Sequence, residues 1–199
     1  RGLLGSTDAS SESNGSLMRV SPIGIWAAGD PALAARAARD DSALTHPNEV
    51  CQEACAAYCA AIAAGVAGAS RKEMLQAALG HSKGAARDAL AAGKAPADFF
   101  THQGWVLVAL QNAFFCLMNL GFEEGLIRTV SAGGDTDTNA AIAGALLGSF
   151  HSREAIPSRW ILPVLACRPL ADCGALRPRP IEYWPDDVLE LAEALLISR

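Results

Sequence analysis

Residues 47–69 read PNEVCQEACAAYCAAIAAGVAGA, and this stretch decides the fold class. Pro47 suits the first turn of a helix, where a missing backbone N–H is no loss. From Ala54 to Ala69 there is no charge and Ala, the best helix former, dominates. A membrane span needs roughly 18 strongly apolar residues, so this shorter, Ala-rich run reads as a buried helix. Cys51, Cys55 and Cys59 recur every four residues and fall on one stripe of it. Such a stripe could hold a soft metal, but free cysteine is also a small core residue that suits close helix packing, and we adopt the core reading.

Outward from this helix the same text continues. Ala/Leu-rich segments with helical spacing cover 31–40, 71–79, 84–92, 102–120, 122–131, 138–150 and 186–197. Start signals precede several of them: Asp30 before Pro31, the Ser70-x-x-Glu73 capping box, and Pro185 followed by Asp186 and Asp187. Gly80, Gly93 and Gly121 stand just past helical runs as stops. No alternating strand pattern occurs. The expectation is an all-α, compact helical bundle forming a single domain over 1–199. Residues 1–16, rich in Gly and Ser, read as a loop or frayed end. The Pro-rich run 157–180 has room for one short helix near 159–165.

Composition narrows the function. At 51% hydrophobic and 19% charged, the chain is a globular domain rather than a disordered one. With 21 acidic against 16 basic residues and no basic run, neither nucleic acid nor an anionic membrane is expected as a partner. No two of the six cysteines form a C-x-x-C pair, so no zinc ribbon or thioredoxin-type site is signalled, and a cytoplasmic location is the default expectation.

The chemistry gathers in Ser131-Ala-Gly-Gly-Asp-Thr-Asp-Thr-Asn139, which runs straight into the apolar stretch 140–150. Gly133 and Gly134 permit backbone torsions closed to other residues and let a ligand approach the main chain. In an extended turn, Asp135 and Asp137 would project to the same side. Thr138 is the expected N-cap of the next helix, and its hydroxyl a third oxygen ligand. The partial positive charge of a helix N-terminus favours carboxylates and attracts phosphate. An all-oxygen set of this kind suits a hard cation such as Mg²⁺ or Mn²⁺. Plain helix capping would explain one of these residues, not four.

Two further words are weaker. Asn14-Gly15-Ser16-Leu17-Met18-Arg19 joins a flexible Asn-Gly turn to an Arg suited to a sugar diphosphate. His46, just ahead of the long helix, could donate to a ribose or phosphate, or act as an acid or base. His81, His102 and His151 have less around them, and Asp40-Asp41 and Asp186-Asp187 read as ordinary helix-end pairs.

In this order, NGSLMRVSP, LTHPNEVCQEACAAYCAAI, GWVLVALQNAFF, GGDTDTNAAIAGALLGS and IPSRWILPVLACRP resemble the ADP-ribosylglycohydrolase family. The resemblance implies an all-α orthogonal bundle, a two-metal centre using Mg²⁺ or Mn²⁺, and cleavage of the glycosidic bond joining ADP-ribose to a protein side chain or small molecule. It further implies that Asp135, Asp137 and Thr138 are metal ligands, with the two aspartates serving catalysis. Asn14, Gly15, Ser16, Met18, Arg19 and His46 would contact ADP-ribose beside Gly133 and Gly134. Family members open with a G-D-x-x-G word and a T-D-D word that complete the metal set. Neither word occurs here, so the resemblance covers the C-terminal two thirds of the family. The chain reads as a fragment or a truncated form whose metal centre alone would be incomplete, and a non-catalytic ADP-ribose-binding or crystallin-like protein on the same scaffold is the alternative.

Overall fold

The computed structural model describes residues 8–198. Ten α-helices are described: α1 (Ser21–Trp26), α2 (Pro31–Ala43), α3 (Glu49–Val66), α4 (Arg71–Gly80), α5 (Gly84–Ala91), α6 (Val106–Asn119), α7 (Phe122–Ser131), α8 (Thr136–His151), α9 (Ser158–Leu165) and α10 (Val188–Ile197). Among the described residues no strand forms; a single isolated β-bridge joins Ser13 to Trp105. The all-α expectation holds.

The stretch 47–69 is the hub. Within it, α3 packs against α1, α2, α4, α5, α6 and α8. Nearly all of its Ala and Cys residues are buried, because small side chains let neighbouring backbones approach it from every side. Its few polar groups are paired. Tyr58 donates its hydroxyl hydrogen to the Ile142 carbonyl (2.8 Å), tying α3 to α8. Glu53, only 5% exposed, receives two bonds from Arg39 of α2 (2.7 and 3.0 Å). Arg39 holds the Glu53 carboxyl below its ordinary range despite burial, so the pair stays ionic.

Two start signals act as read, whereas Pro47 lies ahead of the N-cap of α3 and Asp187, at the N-cap position of α10, makes no side-chain capping bond. Asp30 accepts from Leu33 N (3.0 Å), and Ser70 and Glu73 form the full capping box. Asn48, one residue past Pro47, caps α3 by accepting from Val50 N (2.9 Å). Three expectations change. The helix expected from 102 begins at Val106, because 101–105 form a turn that pairs with the N-terminal segment. A short helix, α1, covers 21–26, which the sequence reading left unassigned. Of the segment read as a frayed end, residues 1–7 lie outside the described residues, whereas 11–16 are packed and bear part of the site. No described residue after His151 is buried; α9 and α10 lie on the surface of the bundle. Among the described residues, no helix is long and apolar enough to cross a membrane.

Candidate functional site

The cysteine stripe explains why a Gly/Ser-rich segment is ordered at all. The thiol of Cys51 donates to the Ser13 carbonyl (3.4 Å), Cys55 to the Ser16 hydroxyl (3.4 Å), and Cys59 to the Val20 carbonyl (3.3 Å). Burial pushes Cys51 up to about 12 and Cys55 to about 11, so both remain protonated donors at neutral pH. A soft metal would need thiolates; here the hydrogens are used to pin residues 13–20 along α3.

From the other side, the turn 101–105 clamps the same segment. Asn14 N donates to Gly104 O (2.9 Å), Val106 N to Glu12 O (2.9 Å), and Trp105 Nε1 to a Glu12 carboxylate oxygen (2.6 Å). Ser16 is fully buried, backbone included, and its hydroxyl is held by Ser42 (3.0 Å) as well as Cys55, so it supports the loop from within. Met18 and Arg19 are exposed. Arg19 is already engaged with Asp41: Nε and Nη2 reach Oδ2 (3.2 and 3.0 Å), and Nη2 also reaches the Asp41 carbonyl (2.9 Å). Asp41, read as an ordinary helix-end residue, thus orients Arg19. His46 lies directly over Gly15, where a Cβ would meet its ring at 2.8 Å. Its Nε2 is bonded to Ser13 Oγ (2.9 Å) and its Nδ1 to Thr45 Oγ1 (2.8 Å). Burial first, and the Arg19 charge second, lower its pKa, so the ring is neutral at pH 7.

Gly133 and Gly134 both adopt left-handed torsions, φ +81° and +70°. A side chain on Gly133 would strike the ring of Phe100, and one on Gly134 would strike the Phe99 carbonyl. Glycine is therefore required twice, by conformation and by space. The helix after this pair starts earlier than expected: Asp135 is the N-cap position, its carbonyl accepting from Asn139 N (3.0 Å), and α8 begins at Thr136. Thr138 consequently sits in the first turn and is not the cap. Asp137 lies in that turn too, so the extended geometry assumed for the two aspartates ends at Asp135.

One hydrogen bond brings the two words together. Asn14 Nδ2 donates to Asp135 Oδ2 at 2.8 Å across 121 residues of sequence. Asp135 and Thr138 are half-buried and Asp137 is exposed. The next residue, Asn139, is 1% exposed, and among the described residues its side-chain amide has no hydrogen-bond partner at either oxygen or nitrogen. Asp135, Asp137 and Thr138 are hard oxygen donors that fit part of a Mg²⁺ or Mn²⁺ shell. Among the described residues, however, no three His, Cys, Asp or Glu side chains form a group that could hold an ion.

Beside the Asn14–Gly104 junction opens a cavity of 620 Å³, lined by Ser10, Glu12, Ser13, His102, Gln103 and Trp105. Ser13 joins it to His46. Sequence reading missed Glu12, Trp105, Phe100 and Asn139. Trp105 carried a signal, as a large aromatic at a helix start, but nothing in the spacing foretold that 12–14 and 104–106 would pair.

The family model of the ADP-ribosylglycohydrolases matches residues 2–198. An ADP-ribosyl-[dinitrogen reductase] glycohydrolase of Rhodospirillum rubrum is 48% identical over 40 residues, 20% of this chain and 14% of the relative. ADP-ribosylhydrolase ARH3 of Mus musculus is 45% identical over 38 residues, 19% of this chain and 10% of the relative. A solved chain from an ADP-ribosylglycohydrolase-related protein complex superimposes with a TM-score of 0.74 at 26% identity, covering 96% of this chain and 62% of that one. The chain thus spans under two thirds of the solved chain, and the matched stretches are small parts of the curated relatives. With a family match over almost its whole length and a fold to agree, the chain belongs to the ADP-ribosylglycohydrolase family.

Proposed function

We propose that this chain forms the ADP-ribose-binding and carboxylate-bearing part of a metal-dependent hydrolase that releases ADP-ribose from an N- or O-glycosidic linkage. The observation that carries this reading is the Asn14–Asp135 bond, which fixes the loop assigned to ADP-ribose against the carboxylate turn. Asn14 orients the Asp135 carboxylate, and Gly133 and Gly134 let Phe100 and Phe99 close against the turn beside it. Arg19, positioned by Asp41, and the backbone of Gly15 offer donors to a diphosphate. In the reaction, the bond from the ribosyl carbon to the leaving nitrogen or oxygen breaks, water oxygen bonds to that carbon, and the leaving atom takes up a proton. A bound divalent cation would supply Lewis acidity and orient the ribose hydroxyls, with Asp135, Asp137 and Thr138 as its protein ligands here.

Because no third His, Cys, Asp or Glu completes a metal-holding group among the described residues, a second reading stands: ADP-ribose binding without turnover. Release of free ADP-ribose from ADP-ribosylarginine, measured with and without Mn²⁺, separates the two. Metal-dependent release supports the hydrolase; binding without release supports the second reading. Asp135→Ala is expected to abolish divalent-ion binding by calorimetry while helical circular dichroism stays nearly unchanged. A parallel loss of fold would make Asp135 a purely structural residue.

A further inference from the structure

The turn leading to α6 brackets Asp135. At one end Gly104 accepts from Asn14 N; at the other, Phe100 abuts Gly133 and the Phe99 carbonyl crowds Gly134. Phe99 is buried, as an aromatic in a turn normally would be, but Phe100 is 69% exposed. Its backbone is not loose: the amides of Phe100 and Thr101 both donate to Asp98 Oδ1 (2.7 and 3.2 Å). The far end of the ring, Cζ and Cε1, fills the space a Gly133 side chain would take, so the tip of the ring rests on the turn. An exposed aromatic held in this way is complementary to a flat cation, which stacks on the ring face.

We infer that Phe100 is a specificity-determining residue that packs against the group from which ADP-ribose is released, and that it favours a guanidinium over an alcohol. This rests on the hydrolase reading above for the identity of the glycoside. The placement follows from two contacts of one turn: Asn14 bonds the Asp135 carboxylate, and the tip of the exposed Phe100 ring meets Gly133, two residues ahead of it. A guanidinium is planar and weakly hydrated and gains from the ring; a serine hydroxyl ether presents no face to stack.

The test compares ADP-ribosylarginine and ADP-ribosylserine peptides with the wild-type chain and with Phe100→Ala, Phe100→Leu and Phe100→Tyr. For the arginine-linked peptide, Phe100→Ala should lower kcat/KM by about three- to thirtyfold, mainly through KM, which is the range of one cation–π contact. The serine-linked peptide should be unaffected, Phe100→Leu should restore little, and Phe100→Tyr should restore most. Calorimetry supplies a readout that needs no turnover: wild type should bind ADP-ribosylarginine more tightly than free ADP-ribose, and Phe100→Ala should erase that margin. Equal losses on both peptides, or no margin in wild type, overturn the inference. If neither peptide releases ADP-ribose while the binding margin and its loss persist, the hydrolase reading fails and this one survives.

Discussion

The two arms of the site differ in how completely their polar groups are satisfied. In the arm 11–20 the polar side chains are mostly engaged: thiols hold Ser13, Ser16 and Val20, Ser42 holds Ser16, Asp41 holds Arg19, and both nitrogens of the neighbouring His46 are bonded. In the arm 133–139, Asp135 has one side-chain partner, Asp137 is exposed, and the buried amide of Asn139 has none. The first arm is built to keep its shape. The second keeps bonding capacity in reserve, which costs stability and is characteristic of places where a ligand binds.

The sharpest break of this contrast comes from glycine. Gly134→Ala combines a left-handed torsion with a collision against backbone, which cannot yield, and should destabilise by about 3 kcal/mol, lowering Tm by roughly 6–12 °C. Gly15→Ala meets the His46 ring, which must give up its bonds to Ser13 and Thr45 to move aside, and should cost less, about 1–2 kcal/mol. Thermal unfolding followed by circular dichroism reads both. Equal losses would mean that the turn is no more constrained than the loop.

A smaller effect distinguishes the arms by sign. Asn139→Leu removes two unpaired polar atoms from a buried position and should stabilise by about 1 kcal/mol. Asn14→Ala breaks the bond to Asp135 and should destabilise by about 1–2 kcal/mol. If Asn139→Leu instead lowers Tm, an internal water satisfies the amide, and the second arm holds less in reserve than its hydrogen bonds imply.

Thiol accessibility sharpens the account of the first arm. Cys167 and Cys173 are exposed, whereas Cys51, Cys55, Cys59 and Cys116 are buried. A thiol-specific reagent should therefore modify two cysteines quickly and the other four only on unfolding. Cys55→Ala, which removes the donor to Ser16, should cost about 1 kcal/mol. Fast reaction of a third thiol in the folded protein would show that the segment 11–20 lifts from α3.

How much of this could be read from sequence follows from the range of each interaction. The helices α2 to α8 were legible because capping residues and apolar spacing act within a few positions, as at Asp30, Ser70 and the Ala-rich run after Pro47. The GGDTDT turn was legible as a place of chemistry because glycines and carboxylates are crowded there. Illegible were the contacts made at long range. Asn14 meets Asp135 across 121 residues, and the pairing of 12–14 with 104–106 gives a Gly/Ser-rich segment the order its composition denied. The start of α8 lies two residues ahead of the expected one because Asp135, at least as good a cap by type as Thr138, follows Gly134, whose left-handed torsion turns the chain there.

The smallest expected effect is the dependence of stability on pH. His46 has a folded pKa below its ordinary 6.5, chiefly from burial and then from the charge of Arg19. Between that lowered value and 6.5 the unfolded chain binds more protons than the folded one, so stability falls as pH drops through this window and is level above it. His151 follows the same sign, lowered by burial and by Arg71, whose guanidinium donates to its Nε2 (3.2 Å). Tm should therefore decrease from pH 7.5 to 5.5, and His46→Gln and His151→Gln should each flatten part of the decline. Since His46 is bonded through Ser13 to the pinned arm, acid should weaken that arm first, and hydrogen exchange of residues 12–16 at pH 5.5 should rise in wild type but less in His46→Gln. Exchange that rises first at 133–139 would place the pH-sensitive joint in the other arm and reverse the assignment.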